Sequence, residues 1–393
     1  MLRIDYENCT GCGACIQKCP KDCISWEEGE LGFCYPVINV DNCIECNQCE
    51  GVCHVGKVVE KPEFQDVYAL VNNDPEILAH STSGGAFSAI AETVLKDGGV
   101  VYGCSMQEDF KVCHIRIANI SDLEKLRGSK YVQSDLGNTF RLVEEDLKND
   151  HKVLFSGTPC QIAALKCFLG KKSDKLVTID IVCHGVGSQA YFDKFVEFLE
   201  QSNGRVETLA FRDKKYLGWS CGGVIRYSRS SNKKNKERPF YNHDNYYYSY
   251  FLSSVIYRKS CYSCPYANLQ RQGDITLGDF WGVESLKLPV DSYNGCSLVI
   301  VNTEKGKRVF DSLVNVSAVK TKIDLAIKHN AQLVAPSMME GNRKKRIYEY
   351  KHVSGSEIQK IFCKNNRLNI IKGKIKSVIP YRLKVKLRAI ISK

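Results

Sequence analysis

Through the middle of this chain the apolar positions switch between two periods. Residues 64–71 form a short apolar run that predicts a strand. After His80 and the Ser-Thr-Ser-Gly-Gly turn, Phe87, Ile90, Ala91, Val94 and Leu95 recur at helical spacing until Gly98 and Gly99 stop them. VVYG (100–103) then reads as a buried strand, 121–126 and 138–148 as helical, and 153–155 as a strand ending in Gly157-Thr-Pro-Cys160. QIAALKCFLG continues as a helix, 176–183 as a strand and 189–201 as a helix. This strand–loop–helix repetition predicts an α/β sheet with its informative loops after the strand ends. Residues 206–228 look antiparallel, and 242–257 an aromatic-rich helix ending just before Cys261.

The first sixty residues follow neither period. Cys9, Cys12, Cys15 and Cys19 are repeated 34 residues later by Cys43, Cys46, Cys49 and Cys53, each set spaced C-x2-C-x2-C-x3-C. In this bacterial ferredoxin spacing three thiolates of one loop hold a 4Fe–4S cube, and the fourth cysteine ligates the other cube. Cluster one would use Cys9, Cys12, Cys15 and Cys53, and cluster two Cys43, Cys46, Cys49 and Cys19. The small residues Thr10, Gly11, Gly13 and Ala14 let backbone N–H groups close around the sulfides. A zinc site is the alternative, but zinc needs two pairs of ligands, not a doubled run of four.

At 393 residues, 44% hydrophobic and 25% charged, the chain is globular and long enough for two or three domains. No run of about 18 apolar residues predicts a membrane span, and the opening MLRIDYENC has no apolar core of a signal peptide. Twenty cysteines at metal-type spacing in so long a chain indicate a reducing cytoplasm rather than a secreted disulfide framework. The net charge of +11 is local. From Ile358 onward eleven Lys and Arg residues occur with no Asp or Glu, which leaves residues 1–357 neutral. The tail interleaves these cations with Ile, Leu and Val around Gly373 and Pro380, a pattern suited to an anionic membrane surface or to an acidic partner. No base-reading motif supports nucleic-acid binding.

Four further cysteines occupy informative places. Cys160 and Cys183 end predicted strands, and Cys261 and Cys264 form C-x2-C-P. Strand ends on one sheet edge can converge, so a third 4Fe–4S site is one reading; a zinc knuckle or buried thiols is the other. Cys104, Cys113 and Cys167 lie in apolar stretches and read as core, while Cys23, Cys34, Cys221, Cys296 and Cys363 have no partner at ligand spacing. The turn Ser81-Thr82-Ser83-Gly84-Gly85 before a helix could cradle a phosphate, with Arg127, Gly128, Ser129 and Lys130 adding cations and a second turn. Ordinary capping by Ser and Thr explains the same residues. A flavin diphosphate is the candidate ligand.

Together, STSGGAFSAI, RGSKYVQS, GTPCQIAAL, VCHG, CPYA after C-x2, and GDITLGDFWG resemble the coenzyme F-420 hydrogenase/dehydrogenase beta-subunit family over about residues 65–303, behind a dicluster ferredoxin module. Similar chains include an archaeal F-420H2 dehydrogenase subunit and bacterial members near surface-polysaccharide genes. The resemblance implies that Cys160, Cys183, Cys261 and Cys264 hold a core cluster. It further implies that Ser81, Thr82, Ser83, Gly84, Gly85, Gly128, Ser129 and Lys130 contact FAD, and that residues 273–282 form a loop near the flavin, where Asp274 and Asp279 could merely cap turns. The expected division is 1–62 ferredoxin, 63–150 and 151–320 the two parts of the flavin and core-cluster domain, and 321–393 a basic helical tail.

Flavin would carry the hydride chemistry, so the protein need only place and polarise it. Lys130 is a candidate for stabilising charge on the flavin, His184 for a hydrogen bond or proton transfer next to a ligand, and His80 a weaker one; each can equally be a packed or solvated residue. Tyr246, Tyr247 and Tyr248 with Tyr250 and Phe251 read as packing rather than a ligand stack. The expectation is a cytoplasmic iron–sulfur flavoenzyme with three 4Fe–4S clusters and FAD, touching the inner membrane face through its tail. It would exchange electrons between a partner protein and a deazaflavin-like or biosynthetic organic substrate. The competing expectations are a non-catalytic electron-transfer subunit and a redox-sensing interaction protein.

Overall fold

A computed structural model describes residues 5–57, 62, 65–228, 236–339, 341–379 and 383. Residues 58–61 and 63–64 around the expected boundary at 62/63, and most of the tail beyond residue 379, lie outside these residues. The chain opens with a short helix, Ala14–Lys18, and a hairpin of β1 (Ile24–Glu28) and β2 (Cys34–Ile38), followed by a one-turn helix, Gln48–Gly51. Its body contributes β3 (Asp66–Asn72), β4 (Val100–Met106), β5 (Val112–Ile117), β6 (Val153–Gly157) and β7 (Leu176–Ile181). There follow β8 (Val206–Ala210), β9 (Gly223–Tyr227), β10 (Lys236–Phe240), β11 (Ile275–Asp279), β12 (Ser297–Val301) and β13 (Val316–Thr321).

Eight of these form one mixed sheet in the order β13-β3-β12-β11-β7-β6-β4-β5. The central neighbours β4, β6, β7 and β11 are parallel, and the flanking pairs are antiparallel. The alternation read from the sequence therefore marks the parallel block, whose carboxyl ends all open on one edge. Helices Ala86–Lys96, Thr139–Lys148, Pro159–Leu169 and Gln189–Asn203 supply the crossovers and caps. The helix at Pro159 starts there because Thr158 and Gln161 form a reciprocal capping box and Pro159 occupies the first turn. As expected, residues 206–227 are antiparallel: β8, β9 and β10 make a separate three-stranded sheet.

Two sequence expectations need correction. The aromatic helix runs only over Tyr246–Leu252, because the Asn245 side chain caps it by accepting from Tyr248 N at 2.8 Å and Ser254 turns left-handed beyond it. Residues 275–279 are a strand rather than part of a loop; it is held against β7 by buried Asp274, which accepts from Thr178 N at 2.8 Å and Thr178 Oγ1 at 2.7 Å. The three consecutive tyrosines are fully buried and pack with Tyr191, Phe192, Phe195 and Phe211, as the packing interpretation predicts.

The ferredoxin-like segment is built into this body. Leu31, Phe33 and Tyr35 join the same aromatic core, and Ala14 and Val52 join the core around Phe140, Phe155 and Phe168. Only Cys19, Cys23 and Ile24 form a core of its own. Among the described residues no helix is long and apolar enough to cross a membrane.

Candidate functional site

The two cysteine runs fold into matching loops. Gly11 and Gly13 take left-handed backbone angles (φ +67° and +70°), and so do the residues one repeat later, Glu45 and Asn47 (φ +53° and +56°). Left-handed residues of this kind turn successive amides toward one side of a loop. Cys9, Cys12, Cys15 and Cys53 lie within one another's electrostatic reach, the set expected for cluster one. Burial, reinforced by the neighbouring Cys9, Cys53 and Cys160, pushes the Cys12 thiol up to about 12. Four thiols from two loops are the donor set that a 4Fe–4S cube takes. Cys19, Cys43, Cys46 and Cys49 line a second, narrow cavity, the set expected for cluster two. Cys23, to which its spacing assigned nothing, lines that cavity too, with its Sγ 3.4 Å from Cys19 Sγ.

Cys160, Cys183, Cys261 and Cys264 also converge. Neither strand reaches its cysteine: Cys160 sits in the first turn of the helix that follows β6, Cys183 lies two residues beyond β7, and the turn at Lys259–Ser263 brings in the C-x2-C pair. Burial first, and then Cys261, Cys160 and Cys264, drive the Cys183 thiol far above its usual range. The core set adjoins the first loop, since Cys12 and Cys160 sense each other. A hydrogen-bonded bridge spans the same gap: His54 Nε2 meets Thr10 Oγ1 at 2.9 Å and Nδ1 meets Tyr266 Oη at 2.6 Å. Buried and without a carboxylate cause, His54 is held down at about 4 and so stays neutral.

At the carboxyl edge of the parallel strands lies a cavity of about 460 Å³. Cys12, Cys160 and Cys183 form one wall; Ser81, Thr82, Ser83, Gly85, Gly128, Ser129 and Lys130 form another. Ser129 Oγ donates to Thr82 Oγ1 at 3.3 Å, joining the two stretches singled out by sequence. Gly84 is not in the lining: a Cβ there would sit 2.2 Å from Leu70 O, so this glycine lets the turn pass against the sheet. The helix N-terminus is also less open than the sequence implied, because Ser297 Oγ accepts from Gly84 N and Ala86 N at 3.0 and 3.4 Å.

Lys130 is a partly buried brace. Its ammonium donates to the carbonyls of Lys125, Leu126 and Arg127, closing the turn that ends Ile120–Leu126, and burial lowers its pKa. His184 lines the cavity, whereas His80 lies on the surface 3.4 Å from Glu124. Asp279 lines it and Asp274 does not.

The sequence reading named Asp279 but missed its partner in the cavity lining, Arg212. Arg212 grips Asp279 through both terminal nitrogens, at 2.7 and 3.2 Å, while Trp219 Nε1 donates to the same carboxylate at 2.8 Å. Trp219 stacks on Trp281 with centroids 4.8 Å apart. Arg212 falls in an antiparallel stretch with no motif, and its partner is 67 residues away, so no local signal marks it.

Models of the coenzyme F420 hydrogenase/dehydrogenase beta subunit match residues 67–140 (its N-terminal part) and 150–324 (its C-terminal part), together more than half the chain. A 4Fe-4S binding domain matches residues 2–25. An F(420)H(2) dehydrogenase subunit of Methanosarcina mazei is 21% identical over 239 residues, 56% of this chain and 67% of that protein. A ferredoxin of Methanocaldococcus jannaschii is 36% identical over 66 residues, 16% of this chain and 84% of that protein. A chain in a structure of the F420-reducing NiFe hydrogenase complex of Methanosarcina barkeri aligns with 75% of this chain and 91% of its own length, at 18% identity and a TM-score of 0.44. The chain therefore belongs to the coenzyme F420 hydrogenase/dehydrogenase beta-subunit family, with a 4Fe–4S ferredoxin motif at its start, and is an iron–sulfur electron-transfer oxidoreductase.

Proposed function

We propose that this chain is an iron–sulfur flavoprotein in which the 460 Å³ cavity holds FAD and three cysteine quartets hold 4Fe–4S clusters. The observation that carries this reading is the shared wall: Cys160 and Cys183 of the core quartet and Cys12 of cluster one all face the cavity. Bound there, FAD would exchange a hydride with an organic substrate, deazaflavin-like or a biosynthetic intermediate as in surface-polysaccharide synthesis, and single electrons with the clusters.

The chain's own residues would do the placing. The turns at 81–85 and 128–130 line the space for the diphosphate, and the Arg212–Asp279 pair contributes to the same lining without adding net charge. His184, facing the cavity beside Cys183, is the residue placed to hold or move a proton. The Cys19, Cys43, Cys46 and Cys49 quartet ends the relay at the surface, where exposed Cys46 and Ile44 offer an exit to an electron-donor or electron-acceptor protein. Direction is set by cluster surroundings, which tune potentials over several hundred millivolts.

Anaerobic purification with iron, sulfide and flavin quantified together tests this reading: about twelve irons and one FAD per chain are expected from three cubes. Eight irons with tightly bound FAD would remove the core cluster. Cys264→Ser should take away one cluster and leave both ferredoxin signals by low-temperature magnetic resonance; three persisting signals would show that Cys264 is not a required ligand.

A membrane contact for the tail has an observation of its own. On the helix Arg367–Val378, Leu368, Ile371 and Ile375 are 73%, 47% and 61% exposed, on an element that carries Arg367, Lys372 and Lys374 and no acid. Cations near an anionic surface contribute on the order of 1 kcal/mol each. Deletion from Arg367 onward, which spares the buried Ile358 and Phe362, should leave iron and flavin intact and sharply reduce binding to anionic vesicles, and salt should weaken binding of the full chain. Equal vesicle binding by both proteins would end this reading.

A further inference from the structure

Four arginines are buried among the described residues: Arg258, Arg271, Arg343 and Arg346. Three of them meet a carboxylate: Arg271 lies 3.2 Å from Asp180, Arg343 3.6 Å from Glu30 and Arg346 2.6 Å from Glu349. Arg258, the most deeply buried at 1% exposed, has none within ion-pair distance among the described residues. Its donors go to neutral acceptors instead. Nε donates to Cys9 O at 2.8 Å, Nη1 to Gln133 Oε1 at 3.0 Å and Nη2 to Cys34 O at 2.7 Å. Its faces meet Tyr35 and Phe33, with ring centroids 4.4 and 5.3 Å away.

Hydrogen bonds and rings orient a guanidinium, but they do not supply the countercharge a buried cation needs. The position of Arg258 shows where that charge would come from. Its side chain bonds the carbonyl of Cys9 and crowds Gly11, where a Cβ would lie 2.7 Å from Cζ. Its backbone carbonyl accepts from Cys261 N at 2.9 Å, and its N–H donates to Val186 O at 3.1 Å, just beyond Cys183. One residue thus touches the loops of cluster one and of the core cluster. A four-thiolate cube is a net anion in both of its working redox states, and a nearby cation favours the form carrying the extra electron.

We propose that Arg258 is the counter-cation of cluster one and the core cluster, and that its charge holds cluster one at a higher potential than cluster two. The inference rests on the cluster reading above. It goes beyond that reading by assigning a residue to the ordering of the relay: an electron arriving at the surface cluster is drawn inward, and one leaving the cavity rests on cluster one before it exits.

The test is a redox titration of the anaerobically purified holoprotein, followed by low-temperature magnetic resonance, for wild type, Arg258→Gln and Arg258→Lys. Iron and sulfide are measured first, so that a wild-type protein lacking three clusters sinks the cluster reading rather than this one. With clusters present, Arg258→Gln should move cluster one to lower potential, the core cluster in the same direction, and cluster two not at all. Arg258→Lys, which keeps the charge and loses the fork, should hold cluster one near its wild-type potential. Unchanged potentials in Arg258→Gln, or an equal shift of all three clusters, would overturn the proposal. If Arg258→Gln cannot retain cluster one, Arg258→Lys decides: a held potential supports the charge, and a drop refutes it.

Discussion

The two cysteine loops share a backbone and almost nothing else. Position for position, Thr10, Gly11, Gly13 and Pro20 of the first correspond to Ile44, Glu45, Asn47 and His54 of the second. Both loops make the same left-handed turns, yet only the first uses glycine for them. The backbone alone does not demand it, since Glu45 and Asn47 adopt nearly the same angles. Surroundings make the difference. A Cβ on Gly11 would lie 2.7 Å from the Arg258 guanidinium and from Gln133 Nε2, and one on Gly13 would lie 3.3 Å from the Trp26 ring. The second loop faces outward: Cys46 and Glu45 are exposed, and Ile44 and Val40 are 57% and 60% exposed. Two halves of one duplicated motif have thus diverged, one to dock inside the molecule and one to remain its surface.

Exchanging the divergent residues breaks this comparison most directly. Gly11→Glu would force a side chain and a carboxylate into a space filled by Arg258 and Gln133, an overpacking cost of about 1–3 kcal/mol or more where the neighbours cannot move. Cluster-one iron should be lost while cluster two keeps its signal. The mirror substitution, Glu45→Gly, should leave iron content unchanged and shift stability by roughly 1 kcal/mol or less, by freeing the unfolded chain. Iron analysis and magnetic resonance of both variants read the outcome. If the two substitutions proved equally harmful or equally harmless, the contrast between the loops would have no energetic content.

What the sequence reveals, and what it hides, follows the same line between local and long-range order. The two ferredoxin-type runs are written in local spacing, whereas the grouping of Cys160 and Cys183 with Cys261 and Cys264 came from the family resemblance; the structure places the members of each proposed quartet near one another. Within the parallel block β6 and β7 were legible because each is followed by a helix of its own period, whereas β11, followed by another strand, was not. Long-range partners were not legible either. Arg212 meets Asp279, the last residue of β11, across 67 residues, and Arg258 meets Cys9 across 249 residues. Gly84 shows the opposite error: a motif glycine invites a phosphate-binding role, but its nearest neighbours are the backbone of Leu70 and Ser297. Lys130 lines the cavity as its motif suggests, but the sequence did not show that its ammonium is also taken up by carbonyls of its own turn.

A finer distinction lies at the last residue of each repeat. Pro20 follows Cys19, and His54 follows Cys53. Proline offers no side-chain polar group, whereas His54 bonds Thr10 Oγ1 and Tyr266 Oη and so ties the second repeat to the first loop and to the C-x2-C segment of the core site. His54→Phe keeps a ring of similar bulk and removes both bonds. It leaves the buried Tyr266 hydroxyl without this partner, at a cost of about 1–3 kcal/mol for a buried group left unsatisfied, and frees the half-buried Thr10 hydroxyl. Freshly prepared protein should still hold its full iron, because no thiol has changed. Under increasing denaturant, however, the variant should lose cluster one at lower concentration than wild type, while the midpoint for cluster two moves less, since its loop makes no contact through His54. Magnetic resonance across the titration separates the two signals. A common shift of both would mean that the bridge stabilises the module as a whole; no shift at all would make it a contact without consequence. A selective shift would show that the buried loop is held in place by this bridge as well as by its packing.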